Sequence, residues 1–186
     1  MAFPVNSRVA LCFSLVLSSL CSACATGEVA TIVRYQRACD AGKGAGCADL
    51  AEMYADGNGV SKDPVRAARY FQLACKDNSM RGCVGLGSAY AHGDGVEKNP
   101  QKAREMLELA CSKKNARGCV ALGELYEDGN GVPQNTRGAV ELYQRACEDE
   151  NARGCVKLAD AYADGRGVGK DVSRALQLYQ RTCENE

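Results

Sequence analysis

From Cys47 onward, small and apolar residues recur with helical spacing. Cys47, Leu50, Ala51 and Tyr54 fall at i, i+3, i+4 and i+7, which is one face of a predicted α-helix. The same columns return as Cys83, Leu86, Gly87 and Tyr90, then Cys119, Leu122, Gly123 and Tyr126, then Cys155, Leu158, Ala159 and Tyr162. A second face interleaves with the first: Ala67, Tyr70, Phe71, Ala74 and Cys75, echoed by Ala103, Met106, Leu107, Ala110 and Cys111. The small-residue column Ala67, Ala103, Ala139 and Ala175 allows close helix approach. No stretch alternates with period two, so strands are not expected.

The connection inside each pair of helices is equally regular. Gly57-Asn58-Gly59-Val60 recurs as Gly93-Asp94-Gly95-Val96, Gly129-Asn130-Gly131-Val132 and Gly165-Arg166-Gly167-Val168. The first glycine of each is placed to end a helix in the left-handed conformation, and the valine to turn inward and seal the hairpin. Asp63, Asn99, Asn135 and Asp171 form a column of helix N-caps, and Pro64 and Pro100 follow two of them, where a missing N–H costs nothing. A Gly-x-Gly repeated four times at one period reads as hairpin punctuation, not as a phosphate-binding loop.

That period is 36 residues. Cys39, Cys75, Cys111, Cys147 and Cys183 follow it without a slip, and so do Cys47, Cys83, Cys119 and Cys155. Periods of this length signal a solenoid. The units are 46–81, 82–117, 118–153 and a shortened 154–186. Residues 26–45 form a leading half repeat, in which Val29–Ala45 matches only the second half of a unit.

The pattern Leu50, Tyr54, Gly57-x-Gly59-Val60, Asp63, Ala67, Tyr70, Ala74 resembles the Sel1-like repeat, a relative of the tetratricopeptide repeat. The added Cys-x7-Cys resembles the cysteine-rich, Helicobacter-type branch of that family. The resemblance covers residues 29–186 and implies an all-α superhelical solenoid of helix–turn–helix units.

Two disulfide pairings fit the periodicity. One joins Cys39–Cys47, Cys75–Cys83, Cys111–Cys119 and Cys147–Cys155, leaving Cys183. The other joins Cys47–Cys75, Cys83–Cys111, Cys119–Cys147 and Cys155–Cys183, leaving Cys39. The shorter loops cost less entropy to close, and the resemblance implies the first set, with each bridge adding about 2–4 kcal/mol. A metal site is not expected. Zinc needs four converging ligands, whereas these cysteines come one pair per unit, with His92 the single histidine.

Charge and composition narrow the function. Lys and Arg total 23, as do Asp and Glu, so no global field draws the chain to nucleic acid. Trp is absent, which argues against a base-stacking platform. Twelve cysteines imply an oxidising compartment. The N-terminus fits this: Arg8 is the only charge before Glu28, and Val9–Leu20 is an apolar run too short to span a bilayer but suited to the core of a signal peptide over residues 1–25. Two cleavage readings compete. Ala23-Cys24-Ala25 would release a soluble protein; Cys21-Ser22-Ala23-Cys24 resembles a lipobox that would leave Cys24 lipidated, the only membrane attachment expected. The destination is then the periplasm, the outer membrane by a lipid anchor, or the exterior.

In tetratricopeptide-type solenoids the first helices line the concave face, so the non-repeating columns beside their buried stripe are the candidate ligand positions. One column is Asp49, Gly85, Ala121, Lys157; the next is Glu52, Ser88, Glu124, Asp160. The groove set is Asp49, Glu52, Ser88, Glu124, Lys157 and Asp160, whose acidic bias predicts a basic or polar peptide ligand. Arg81, Arg117 and Arg153 precede each Gly-Cys and are expected to satisfy carbonyls or neighbouring carboxylates. The Tyr54, Tyr90, Tyr126 and Tyr162 column is expected in the core with wet hydroxyls.

The expected role is an exported scaffold presenting this groove to a protein, peptide or cell-wall fragment, with no cofactor. The resemblance implies one alternative, a penicillin-binding protein with weak β-lactamase activity. No Ser-x-x-Lys, Ser-Asp-Asn or Lys-Thr-Gly motif is present to carry it, and no catalytic residue can be assigned. Self-association is a further expectation, through a C-terminal face bearing Leu178 and Tyr179 and through the leftover Cys183.

Overall fold

The computed structural model describes residues 30–129 and 131–184. The signal-peptide reading and Cys24 lie outside the described residues. Among those described, all regular structure is helical: α1 (30–40), α2 (Gly44–Asp56), α3 (Pro64–Lys76), α4 (Met80–His92), α5 (Pro100–Ser112), α6 (Ala116–Asp128), α7 (Thr136–Glu148), α8 (Ala152–Asp164) and α9 (Val172–Glu184). From α2 onward every helix has 13 residues, as a 36-residue period built from one helical pair requires.

Helix ends follow the sequence columns. Gly57, Gly93, Gly129 and Gly165 take φ of 79°, 84°, 63° and 77° and close α2, α4, α6 and α8. Asp63, Asn99, Asn135 and Asp171 each accept a hydrogen bond from a backbone N–H three residues on. Asn115 and Asn151 cap α6 and α8 in the same way, accepting from the N–H of Gly118 and Gly154. The sealing valines are only partly as expected: Val132 is buried, whereas Val60, Val96 and Val168 are half-buried. The second glycine of the turn has its own role. A Cβ on Gly95, Gly131 or Gly167 would collide with Pro64, Pro100 or Thr136, the first residue of the preceding unit's second helix.

Successive units meet through very small residues. Gly82, Gly118 and Gly154 face Ala74, Ala110 and Ala146, and a Cβ on Gly118 would lie 2.7 Å from that of Ala110. This close approach sets the cysteines beside one another. The four bridges among the described residues follow the Cys-x7-Cys pairing, Cys39–Cys47, Cys75–Cys83, Cys111–Cys119 and Cys147–Cys155, with Cα–Cα distances of 4.4–4.6 Å. Cys183 carries a free, exposed thiol. The chain reverses between units through Asn78, Lys114 and Glu150, non-glycine residues at φ 58–60°.

The core is alanine-rich: Ala103, Leu107, Leu122, Ala139, Tyr143, Leu158 and Ala159 belong to one cluster across the last three units, and Ala51, Ala67, Phe71 and Leu86 form another nearer the N-terminus. No charged or polar residue is buried among the described residues. The first helices α2, α4, α6 and α8 pack side by side, while the second helices α3, α5, α7 and α9 have no comparable contact with one another. The first-helix layer is therefore the inner, concave one, and α3, α5, α7 and α9 form the outer layer.

Candidate binding groove

The concave layer holds a cavity of about 800 Å³ lined mainly by α4, α6 and α8, with Leu107 contributed by α5. Its floor is apolar: Val84, Leu107, Val120, Ala121 and Leu125. Its rim carries Ser88 and His92 from α4, Arg117, Glu124 and Asp128 from α6, and Arg153 and Lys157 from α8. The volume and the apolar floor with a few polar groups suit a recognition site.

Of the groove residues expected from sequence, Ser88, Glu124 and Lys157 come together here. Asp49, Glu52 and Asp160 do not line this cavity. The acidic groups are also committed within the chain. Arg81 forms ion pairs with both Asp49 and Glu52, the latter at 3.4 Å, and donates to the Ala45 carbonyl at 3.1 Å. Arg153 and Lys157 reach Glu124 at 2.7 and 3.1 Å. Asp160 accepts from the Tyr179 hydroxyl. Each of these carboxylates thus has a partner within the chain, two cations at Glu124, one arginine shared by Asp49 and Glu52, and an uncharged hydroxyl at Asp160.

The arginine column behaves as expected at Arg81 and Arg153 but not at Arg117. Glu52 and Glu124 each stand 29 residues before their arginine, and Asp49 stands 32 before Arg81. The equivalent positions for Arg117 are Ser88 and Gly85, which offer no carboxylate. Arg117 is exposed and makes no ion pair or hydrogen bond among the described residues.

The expected core column is half-buried at Tyr54, Tyr90 and Tyr126 and buried at Tyr162. Tyr143, on α7, is 2% exposed and donates to Glu127 at 2.8 Å, and Glu127 also pairs with Arg166. Burial, then the bond to Glu127, pushes the Tyr143 hydroxyl pKa well up. His92 turns Nδ1 to the Ser88 carbonyl at 2.9 Å, one turn back on its own helix. No group of three or more His, Cys, Asp or Glu converges as a metal site among the described residues.

Sequence reasoning did not single out the apolar floor. Its signal was the column directly after each first-helix cysteine, Ala48, Val84, Val120 and Val156, which widens the apolar stripe toward the concave side. At the other end of the chain, Leu178 and Tyr179 are half-buried against the core, and Val172 and Leu176, at 52% and 56% exposure, are the more open apolar residues of α9.

Comparisons with known proteins place this architecture. The chain is similar to an Oxalobacter formigenes Sel1 repeat protein of known structure, at 28% identity and TM-score 0.76, over 85% of this chain and 62% of that one. It is similar to a protective antigen present in uropathogenic Escherichia coli strains displaying an SLR fold, at 30% identity and TM-score 0.70, over 83% of this chain and 33% of that one. It thus spans about a third of the antigen and about three-fifths of the Oxalobacter protein. It is also similar to Helicobacter pylori cysteine rich protein B, at 32% identity and TM-score 0.52, over 69% of this chain and 92% of that one. No curated protein sequence matches the chain. The Sel1 repeat model matches residues 44–79, 81–115, 116–151 and 152–186, and with four tandem matches the chain belongs to the Sel1 repeat family.

Proposed function

We propose that this chain is an exported, protein- or peptide-binding scaffold of the cell envelope or the extracellular space. The observation that carries the reading is the 800 Å³ concave groove, whose apolar floor is built by α4, α5 and α6 and whose rim is polar. Helix pairs stapled by four bridges hold that floor rigid, which lowers the ordering cost of binding. Disulfides form and persist chiefly in oxidising compartments, so four of them among the described residues support export. Within this reading 46–81, 82–117, 118–153 and 154–186 act as successive units of one binding surface. An acyl anchor at Cys24 and association through α9 and Cys183 are compatible additions to it.

The alternative reading, a β-lactam hydrolase, draws no support from the groove. His92, the one histidine, is engaged with its own helix backbone.

The test is selection of a displayed random 12-residue peptide library on the oxidised protein, followed by titration of a selected peptide. Saturable binding is expected, and Ala121→Trp, which fills the groove floor, should abolish it. A selected peptide that binds Ala121→Trp unchanged would place recognition elsewhere. Turnover of a chromogenic cephalosporin well above a heat-inactivated control would overturn the scaffold-only reading.

A further inference from the structure

The arginine at the start of each first helix has a fixed reach. From Arg81 it meets Glu52 and Asp49 on the preceding first helix, and from Arg153 it meets Glu124. Arg117 has the same backbone position one unit along, but Ser88 and Gly85 stand where those acids would be. The repeat thus leaves the Arg117 guanidinium unmatched, and it does so at the rim of the concave cavity. Nearby acids do not quench it. Glu124 lies between Arg153 and Lys157, and Glu127 is held by Tyr143 and Arg166. Asp128 also lines the groove, but it is eleven residues further along α6, about 16 Å at 1.5 Å per residue.

We propose that Arg117 is the specificity residue of the groove and binds the side-chain carboxylate of an acidic residue within an extended partner segment. This rests on the peptide-binding reading above. The ligand chemistry follows from the surroundings. An arginine fork matches a carboxylate in two parallel hydrogen bonds. The floor below, Val84, Val120 and Ala121, accepts aliphatic neighbours of that acid. Three first helices packed about 8–10 Å apart give a run of about 20 Å, room for about six extended residues. A segment crossing all three helices places an internal residue, not a chain end, beside Arg117.

The experiment repeats the library selection on wild-type protein and on Arg117→Glu, each oxidised and matched in helical content and thermal midpoint. Selected peptides are then synthesised with amidated C-termini. Wild type should select sequences enriched in Asp and Glu, and Arg117→Glu should select Lys and Arg. Changing the peptide's acid to its amide should weaken wild-type binding about tenfold. Arg117→Gln should do the same, and so should Ser88→Glu, which restores the carboxylate found in the neighbouring units and leaves Arg117 in place. Peptides that show no acidic enrichment, or that bind Arg117→Gln unchanged, would overturn the assignment while leaving peptide binding intact. Loss of affinity on amidating the C-terminus would transfer the contact to a chain end and equally overturn it. Failure of wild type to select any peptide would remove the peptide-binding reading itself, and this assignment with it.

Discussion

Arg153 donates to Glu124 across 2.7 Å, tying the first turn of α8 to the middle of α6. The partners are 68% and 25% exposed, so water screens the pair. Glu124→Gln should therefore change stability by only about 0–1 kcal/mol, read from urea unfolding of the oxidised protein. A loss of several kcal/mol would mean that these ion pairs hold the units together.

The disulfides are a different matter. Replacing Cys111 and Cys119 together by alanine should cost about 2–4 kcal/mol, chiefly by freeing the unfolded chain. The same unfolding experiment measures it. Both sulfurs are buried, with Cys111 2% and Cys119 1% exposed, so part of the loss will come from packing. Titration of the folded, oxidised 26–186 segment with a thiol reagent should find one reactive group, Cys183.

Two backbone positions should respond in opposite directions. Gly118→Ala forces a methyl to within 2.7 Å of Ala110 and 3.0 Å of the Cys111 amide, and should destabilise by about 1–3 kcal/mol. Glu150 holds φ at 58°, a left-handed conformation that favours glycine. Glu150→Gly should stabilise by about 0.5–1 kcal/mol, net of the added freedom of the unfolded chain. Thermal midpoints of the two variants should fall on opposite sides of wild type.

Tyr143 sets the alkaline limit. Its pKa is raised by burial and by its bond to Glu127, whereas in the unfolded chain it titrates near the ordinary value of about 10. Below that value its contribution to stability is complete. Above it the unfolded chain releases a proton that the folded state retains, so stability falls as pH rises. Tyr143→Phe should cost about 1–2 kcal/mol at neutral pH, through the lost hydrogen bond to a charged acceptor. It should also flatten the fall in stability above pH 10, measured as unfolding free energy against pH.

The helices, caps and hairpin glycines were legible in the sequence because one column serves one purpose in every unit. Asp63, Asn99, Asn135 and Asp171 each cap a helix, so the column reveals the role. The disulfide set was less legible, since the period allowed two pairings and only the contact of each Gly–Ala pair places the right sulfurs together. The groove was the least legible. Its character depends on which charges are already paired, and pairing joins residues 29 and 32 positions apart on different helices. The acidic column looked open in sequence because Arg81 and Arg153 are not its neighbours there. Arg117 looked like its equivalents because what distinguishes it is a missing partner at Ser88 and Gly85.

The central claim is that recognition occurs on the concave groove of α4, α6 and α8. Amide and methyl chemical shifts of the oxidised protein, recorded during titration with a selected peptide, test it most directly. The account predicts saturable shifts at Val84, Ser88, Arg117, Ala121 and Lys157, with α5 and α7 residues such as Leu109 and Glu141 unmoved. Shifts confined to the outer helices, or none at saturating peptide, would contradict it.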